Sequence, residues 1–263
     1  MIYVCIPSYN EAPTVGLLLW KVRQVFAGFP REYQLLVLDD GSTDSTTEVL
    51  EPYTRVLPLT IIRHPERRGY AASVEALLRR AVELTDRPKR DAAILMHADF
   101  AHNTQTIPDL VRRIESGADV VVAQAKLEGE PARSQYWIRR YAPLLLRGVV
   151  AVPGVADLVS GFAIIRLVAI RNAIRSQPGR LLVTDGWAAN AELYWRAARY
   201  ARRIEAVTSV ERHDLRSRPT RVNPWETAAH IWSSRRALRE SPLAPAAPEP
   251  ANRREETQAE VVS

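Results

Sequence analysis

The sequence predicts an α/β fold, a central and mostly parallel sheet with helices on both faces. Two observations carry that expectation. Short apolar runs rich in Ile, Val and Leu alternate with segments whose apolar residues recur at helical spacing, the pattern of a parallel sheet covered on both sides. Polar and acidic residues also cluster where the apolar runs end, the edge at which such sheets bind ligands.

Ile2–Ile6 reads as the first strand, and Val15, Leu18, Val22 and Val25 then fall on one helix face. Tyr33–Asp40 is the second strand, and Ser45-Thr-Thr-Glu48 has the spacing of a capping box opening a short helix. "LTIIRH" is a third strand, followed by a helix through Val74, Leu77, Leu78, Ala81 and Leu84. "AAILM" is the fourth, with Ile107, Leu110, Val111 and Ile114 on the next helix and "ADVVVA" as the fifth strand. The second half is less regular. It offers a basic amphipathic helix over Trp137–Val152, a strand at "GFAII", a helix over Gly186–Tyr200 and a strand at "RRIEAVTSVERH". A last helix, Pro224 to Glu240, carries Trp225, Ala228, Trp232 and Leu238 on one side. From Ser241 the chain is rich in Pro, Ala and Glu, and a disordered tail over 241–263 is expected.

With 263 residues, 46% hydrophobic and 25% charged, the chain has the size and composition of a soluble globular domain. Its one cysteine, Cys5, cannot form an internal disulfide, and "MIYVCIPSYN" lacks the basic flank of a signal peptide; a cytoplasmic setting is expected. The longest apolar stretch, Leu144 to Ile165, is interrupted by Arg147, Pro153 and Asp157, which argues against a spanning helix. The net charge of +6 suits phosphate-bearing ligands or an anionic membrane surface. The arginines are spread along the chain and no nucleic-acid module is visible, so nucleic acid is not an expected partner.

Three strand ends carry chemistry. "IPSYNEAPTVG" places Pro7, Ser8, Tyr9, Asn10 and Glu11 between the first strand and first helix, where a helix N-terminus favours anions. "VLDDGSTDST" ends the second strand with Asp39, Asp40 and Asp44 around Gly41. Such carboxylates serve as hydrogen-bond acceptors for a nucleoside or as ordinary turn residues. "ILMHADFAH" ends the fourth with Asp99 between His97 and His102, a metal-ligand grouping or simply a polar strand end.

Taken in register with "RHPERRGYAASVEALLRRA", "DLVSGFAIIR" and "DGWAANAELYWRAARYARRIEAVTSVERHDLRSR", these motifs resemble the family 2 glycosyltransferases of GT-A fold. They are most similar to the dolichol-phosphate and polyprenyl-phosphate mannosyltransferase branch. The resemblance spans roughly residues 1–220 and implies a glycosyltransferase domain over 1–222, a C-terminal amphipathic helix over 223–240 and the tail.

The resemblance implies that Pro7, Tyr9, Glu11, Asp39, Asp40, Gly69 and Ala98 hold the donor, a nucleoside-diphosphate sugar. Asp99 matches the second carboxylate of the family's Asp-x-Asp motif, which binds a divalent metal, Mn²⁺ or Mg²⁺, with the diphosphate; His97 stands at the first carboxylate and Ala101 where a third ligand is common. Arg139 or Arg140 would meet the acceptor phosphate, and Arg212, Ser217 and Arg218 would lie near the phosphates, with arginine in place of the usual lysine. A histidine beside one aspartate favours Mn²⁺ or Zn²⁺ over Mg²⁺, which prefers oxygen, and arginines such as Arg212 could share the stabilisation of the leaving diphosphate.

The implied chemistry is inverting, an in-line displacement at the anomeric carbon with the nucleoside diphosphate leaving. A lipid-phosphate acceptor is already ionised and needs no base, whereas a hydroxyl needs a carboxylate to take its proton. Asp185 and Asp157 are the candidates, with a helix cap as the alternative role for Asp185; Glu192 has a buried structural role as its alternative. The branch favours a polyprenyl phosphate reached at the membrane surface, with the helix around Arg139–Val152 either lying on the inner face of the membrane or packing on the sheet. The rival readings are a soluble glycosyltransferase with a hydroxyl acceptor, a nucleotidyltransferase, disfavoured because "PSYNE" lacks a Gly/Lys-rich loop, and a non-catalytic nucleotide-sugar-binding protein.

Overall fold

The structure is a computed structural model and describes residues 1–100, 102–128, 141–142, 144–146, 148–177, 179–212 and 224–240. Among these residues seven strands form one sheet: β1 (Ile2–Ser8), β2 (Tyr33–Asp40), β3 (Leu59–His64), β4 (Ala92–Leu95), β5 (Val120–Glu128), β6 (Ala163–Arg166) and β7 (Ile204–Arg212). Their order across the sheet is β3-β2-β1-β4-β6-β5-β7. Pairing is parallel except at β6, which runs antiparallel between β4 and β5. Two reversals restore direction, so β7 ends on the same edge as β1, β2 and β4.

Side-chain alternation along the strands divides the core in two. Tyr3, Cys5, Leu36 and Leu38 face one side, against helices α3 (Tyr70–Leu84), α5 (Leu167–Arg175), α6 (Gly186–Ala198) and α7 (Pro224–Glu240). Ile2, Val4, Ile6, Leu35 and Val37 face the other, against α1 (Ala12–Gly28), α2 (Thr46–Leu50) and α4 (Ile107–Glu115). Because both faces are covered, β1 reads as a continuous apolar run rather than an alternating one. Val15, Leu18, Val22 and Val25 are all buried on α1, as their spacing implies.

The structure revises three expected elements. Ser45 occupies the N-cap of α2 but makes no side-chain cap bond. Asp44 takes that role, accepting from Thr46 N at 3.0 Å, from Ala12 N at 3.3 Å and from the Thr46 hydroxyl. A charged acceptor outcompetes the hydroxyl: burial opposes the Asp44 charge, but the bonds from Thr46 and Ala12 outweigh it and hold its pKa below the usual carboxylate value. The helix expected over Trp137–Val152 is helical at its described residues up to Leu145, then turns, with Val149 N and Val150 N both donating to Leu146 O. It therefore stops short of Val152. On α7 the buried positions are Ile231, Ser234 and Leu238, whereas Trp232 is 59% exposed, so the packing face is rotated by one residue from the expected one. The expected tail over 241–263 lies outside the described residues.

Candidate functional site

A cleft of about 200 Å³ opens at the C-terminal edge of β1, β2 and β4. The end of β1 supplies Pro7, Ser8, Tyr9 and Glu11 to it, and β2 supplies Asp40. The β3–α3 connection and α3 add Arg67, Tyr70 and Ser73, and the end of β4 adds His97, Ala98 and Asp99. These residues meet because Ser8 pairs with Asp39 across parallel strands, so both chains leave the sheet at one level.

Asp40, buried, shapes the cleft through its two oxygens. Oδ1 accepts from Arg68 N at 2.9 Å and bonds His64 Nδ1 at 2.7 Å, while Oδ2 accepts from Gly69 N at 2.9 Å. One carboxylate thus pins the loop that delivers Arg67 and starts α3. Gly41 permits that closure: its φ is +67°, and a Cβ there would stand 2.7 Å from Arg67 N. Arg67 lays its guanidinium 4.2 Å from the Tyr9 ring centroid, a cation–π pair forming one wall. Asp39 lies behind the cleft, accepting from Ser42 N at 3.0 Å and Thr47 Oγ1 at 2.5 Å.

His97 is held by a chain of hydrogen bonds. Asn190 Nδ2 donates to Val159 O at 3.1 Å, which turns its Oδ1 to accept from the Tyr70 hydroxyl at 2.8 Å. Burial pushes the Tyr70 phenol well above its ordinary pKa, so it keeps that proton. The Tyr70 oxygen lies 3.1 Å from His97 Nε2 and, its own proton committed to Asn190, accepts from Nε2–H. That pairing places a proton on Nε2 of His97. Its Nε2 tip fits over Gly161, where a Cβ would come within 2.0 Å. His102, buried and stacked on Phe162, accepts from the His97 backbone N–H through Nδ1 at 3.2 Å. It fixes the strand end with that lone pair.

Asp185 is placed by a loop tied at both ends. Leu182 N donates to Glu75 at 3.1 Å, and Val183 N, Thr184 N and the Thr184 hydroxyl all donate to Glu192. Glu192 and Arg196, both fully buried, pair at 2.7 Å. Asp185 makes no cap bond to its own helix α6; instead its Oδ1 accepts from Ala71 N of α3 at 2.8 Å. Its other oxygen lies 2.8 Å from where a Gly69 side chain would begin, and Gly69 has φ +96°. Asp157 caps the turn before β6, accepting from Val159 N at 3.3 Å.

Of the residues expected at the donor, Pro7, Tyr9, Glu11, Asp40 and Ala98 line the cleft with Asp99 and His97, while Asp39 and Gly69 support it from behind. Arg212 ends β7, whose C-terminus shares this sheet edge; its side chain, and Arg139, Arg140, Ser217, Arg218 and Ala101, lie outside the described residues. Sequence reasoning gave no donor role to Ser8, Arg67, Tyr70 or Ser73. Ser8 is 3% exposed, and its Oγ finds no hydrogen-bond partner among the described residues although it faces a polar cleft.

His97 and Asp99, the residues expected to hold a divalent cation, both line the cleft. Among the described residues no group of three or more His, Cys, Asp or Glu could hold a metal ion, so a cation there would need its remaining ligands from a diphosphate and water.

The pattern of Glycosyl transferase family 2 matches residues 3–173. The dolichol-phosphate mannosyltransferase of Pyrococcus furiosus is 26% identical over 168 residues, 62% of this chain and 45% of that protein. The undecaprenyl-phosphate 4-deoxy-4-formamido-L-arabinose transferase of Edwardsiella ictaluri is 28% identical over 152 residues, 56% of this chain and 42% of that protein. The chain thus matches less than half the length of these curated relatives. Among solved structures, glucosyl-3-phosphoglycerate synthase from Mycobacterium tuberculosis in complex with Mn²⁺, UDP-glucose and phosphoglyceric acid superposes with a TM-score of 0.60 at 18% identity, over 92% of this chain and 79% of that one. With the seven-stranded sheet and the cleft at its C-terminal edge, the match over residues 3–173 shows that the chain belongs to Glycosyl transferase family 2 and has the GT-A fold.

Proposed function

We propose that the protein transfers a sugar from a nucleoside-diphosphate sugar to a polyprenyl phosphate at a membrane surface, with inversion at the anomeric carbon. The observation that carries this reading is the convergence of Tyr9, Asp40, Arg67 and Asp99, from four separate segments, on one cleft. The acceptor class rests on the lipid-phosphate substrates named for the two curated relatives.

The Tyr9–Arg67 wall offers the base a flat, cationic surface to stack on, and Ser8 Oγ offers a hydrogen bond unused among the described residues. Asp40 holds the loop so that this wall is formed before the donor arrives, which lowers the ordering cost of binding. Asp99 and His97, both in the cleft lining, would face the diphosphate. A divalent cation bound there would neutralise charge on the leaving group. Arg212, with Ser217 and Arg218, supplies the complementary positive charge to the phosphates, and Arg139 or Arg140 meets the acceptor. A phosphate acceptor is ionised at neutral pH and attacks without a base, which leaves Asp185 to serve as the α3 cap.

The test is a panel of nucleoside-diphosphate sugars with Mn²⁺ or Mg²⁺, following release of nucleoside diphosphate with and without a short-chain polyprenyl phosphate. Release that depends on one donor and on the lipid phosphate supports the proposal. Failure of every donor to bind or turn over leaves a non-catalytic role, and release that depends on a hydroxyl acceptor instead returns Asp185 to the role of base.

A further inference from the structure

Three large apolar side chains stand out at one corner of the molecule: Trp232 is 59% exposed, Leu144 55% and Tyr141 46%. They are the outward halves of two elements whose inward halves are well packed. Ala142 and Leu146 are buried in the core beneath α3 and α6, and so are Ile231 and Leu238 of α7. Folding therefore places Trp232 outward by choice of helix face, although the sequence offers it as a packing residue. Arg235 joins the two elements. Its Nη1 donates to Leu145 O at 2.8 Å, and its guanidinium lies 4.6 Å from the Trp232 ring centroid. Trp232 and Leu144 thus border a single strip. Arg236 and Arg239 follow on the exposed side of α7, one and two turns beyond Trp232. The acid in this strip is Glu240, paired with Arg236 at 2.7 Å with both side chains exposed, an ion pair that contributes little in water.

Tryptophan and tyrosine with leucine beside them, bordered by arginines, is the composition that settles at the headgroup level of a bilayer. Arginine stems lie on apolar surface while their heads reach anionic phosphates. We propose that the strip of Tyr141, Leu144 and Trp232 with Arg235, Arg236 and Arg239 seats on an anionic lipid surface, laying α7 along it. The strip lies on the sheet face that carries α3 and α6, the helices that supply Tyr70 and Asn190 to the cleft support. The inference deepens the proposed function, and rests on it for the identity of the surface.

The experiment is sedimentation of the full chain with vesicles of phosphatidylcholine alone and of phosphatidylcholine with phosphatidylglycerol in equal parts, at low and high salt. Light scattering and a thermal melt of each variant accompany it. Binding to the anionic vesicles that weakens with salt, and falls by roughly tenfold or more in Trp232→Ala/Leu144→Ser with an unchanged melt, is the expected result. A second variant, Arg236→Gln/Arg239→Gln, should lose the preference for anionic over neutral vesicles. No vesicle binding by the wild type, or binding in both variants equal to that of the wild type, overturns the proposal. So does a dimer that Trp232→Ala converts to monomer while lipid binding is unchanged, which would assign the strip to self-contact. Donor binding, read separately as a melting shift with each nucleoside-diphosphate sugar, keeps the two claims apart. If donors bind and vesicles do not, only the docking fails; if vesicles bind and no donor does, only the catalytic reading fails.

Discussion

Gly161→Ala is the sharpest perturbation of the network that holds His97. A Cβ at position 161 would stand 2.0 Å from His97 Nε2 and 2.7 Å from both Cδ2 and Cε1. No small shift absorbs such an overlap, so the imidazole must leave its place over Gly161 and give up the bond to Tyr70. The lost hydrogen bond costs about 0.5–1.5 kcal/mol, and overpacking of the Tyr70–His97–His102 cluster adds about 1–3 kcal/mol. The sum, roughly 2–4 kcal/mol, lowers the melting temperature by some ~4–16 °C for a chain of this size. His97→Ala alone removes the hydrogen bond without the clash and costs only about 0.5–1.5 kcal/mol. In the double variant the added methyl has room, so Gly161→Ala should cost almost nothing once His97 is gone. Urea unfolding of the four proteins gives the coupling energy, expected to match the cost of Gly161→Ala alone at about 2–4 kcal/mol. If the two substitutions are additive within about 0.5 kcal/mol, Gly161 does not cradle His97 and the tautomer assigned to that ring loses its support.

Three further outcomes test individual residues. Ser8→Ala removes a hydroxyl with no partner among the described residues, so stability should be unchanged while donor affinity, measured by calorimetry, falls roughly 2–10-fold; unchanged affinity removes Ser8 from the site. Asp185→Asn keeps an oxygen for Ala71 N and should preserve both melting and transfer to lipid phosphate, whereas Asp185→Ala should cost about 1 kcal/mol. Loss of turnover in the Asn variant with an intact melt would show that the carboxylate acts as a base. Glu192→Ala removes the buried carboxylate that bonds Arg196, Val183 N and Thr184 N and should cost about 3–5 kcal/mol in denaturant unfolding; a loss under about 1 kcal/mol would mean the pair does not hold the Asp185 loop.

The fold was legible in the sequence wherever one periodicity dominated. Ile2–Ile6, Tyr33–Asp40 and the Val15–Val25 face of α1 form as their patterns imply, because two-sided burial leaves central strands and their helices little latitude. Elements with a choice of face were harder. α7 offers both Ile231 and Trp232, and the gap beside α6 is filled by Ile231 and Leu238. Asp44 displaced Ser45 as cap because Ala12, from another loop, also needs its carboxylate. At the site, the strand-end motifs located the cleft, yet what Asp40, Asp185 and Gly161 do there depends on partners 24 or more residues away in sequence. Spacing cannot reveal such partners. The role of Asp185 illustrates this: the local reading offered a general base or a cap for its own helix, and the structure gives the bond to Ala71 N of α3.

The central claim is tested most directly by the product. Incubated with the donor that stabilises it and with a short-chain polyprenyl phosphate, the protein should form a sugar–phosphate lipid that partitions into organic solvent. It should release one nucleoside diphosphate per molecule of product, and Asp99→Asn should abolish the reaction while leaving the melt unchanged. Sugar found only on a hydroxyl acceptor, or undiminished turnover in Asp99→Asn, would contradict the account.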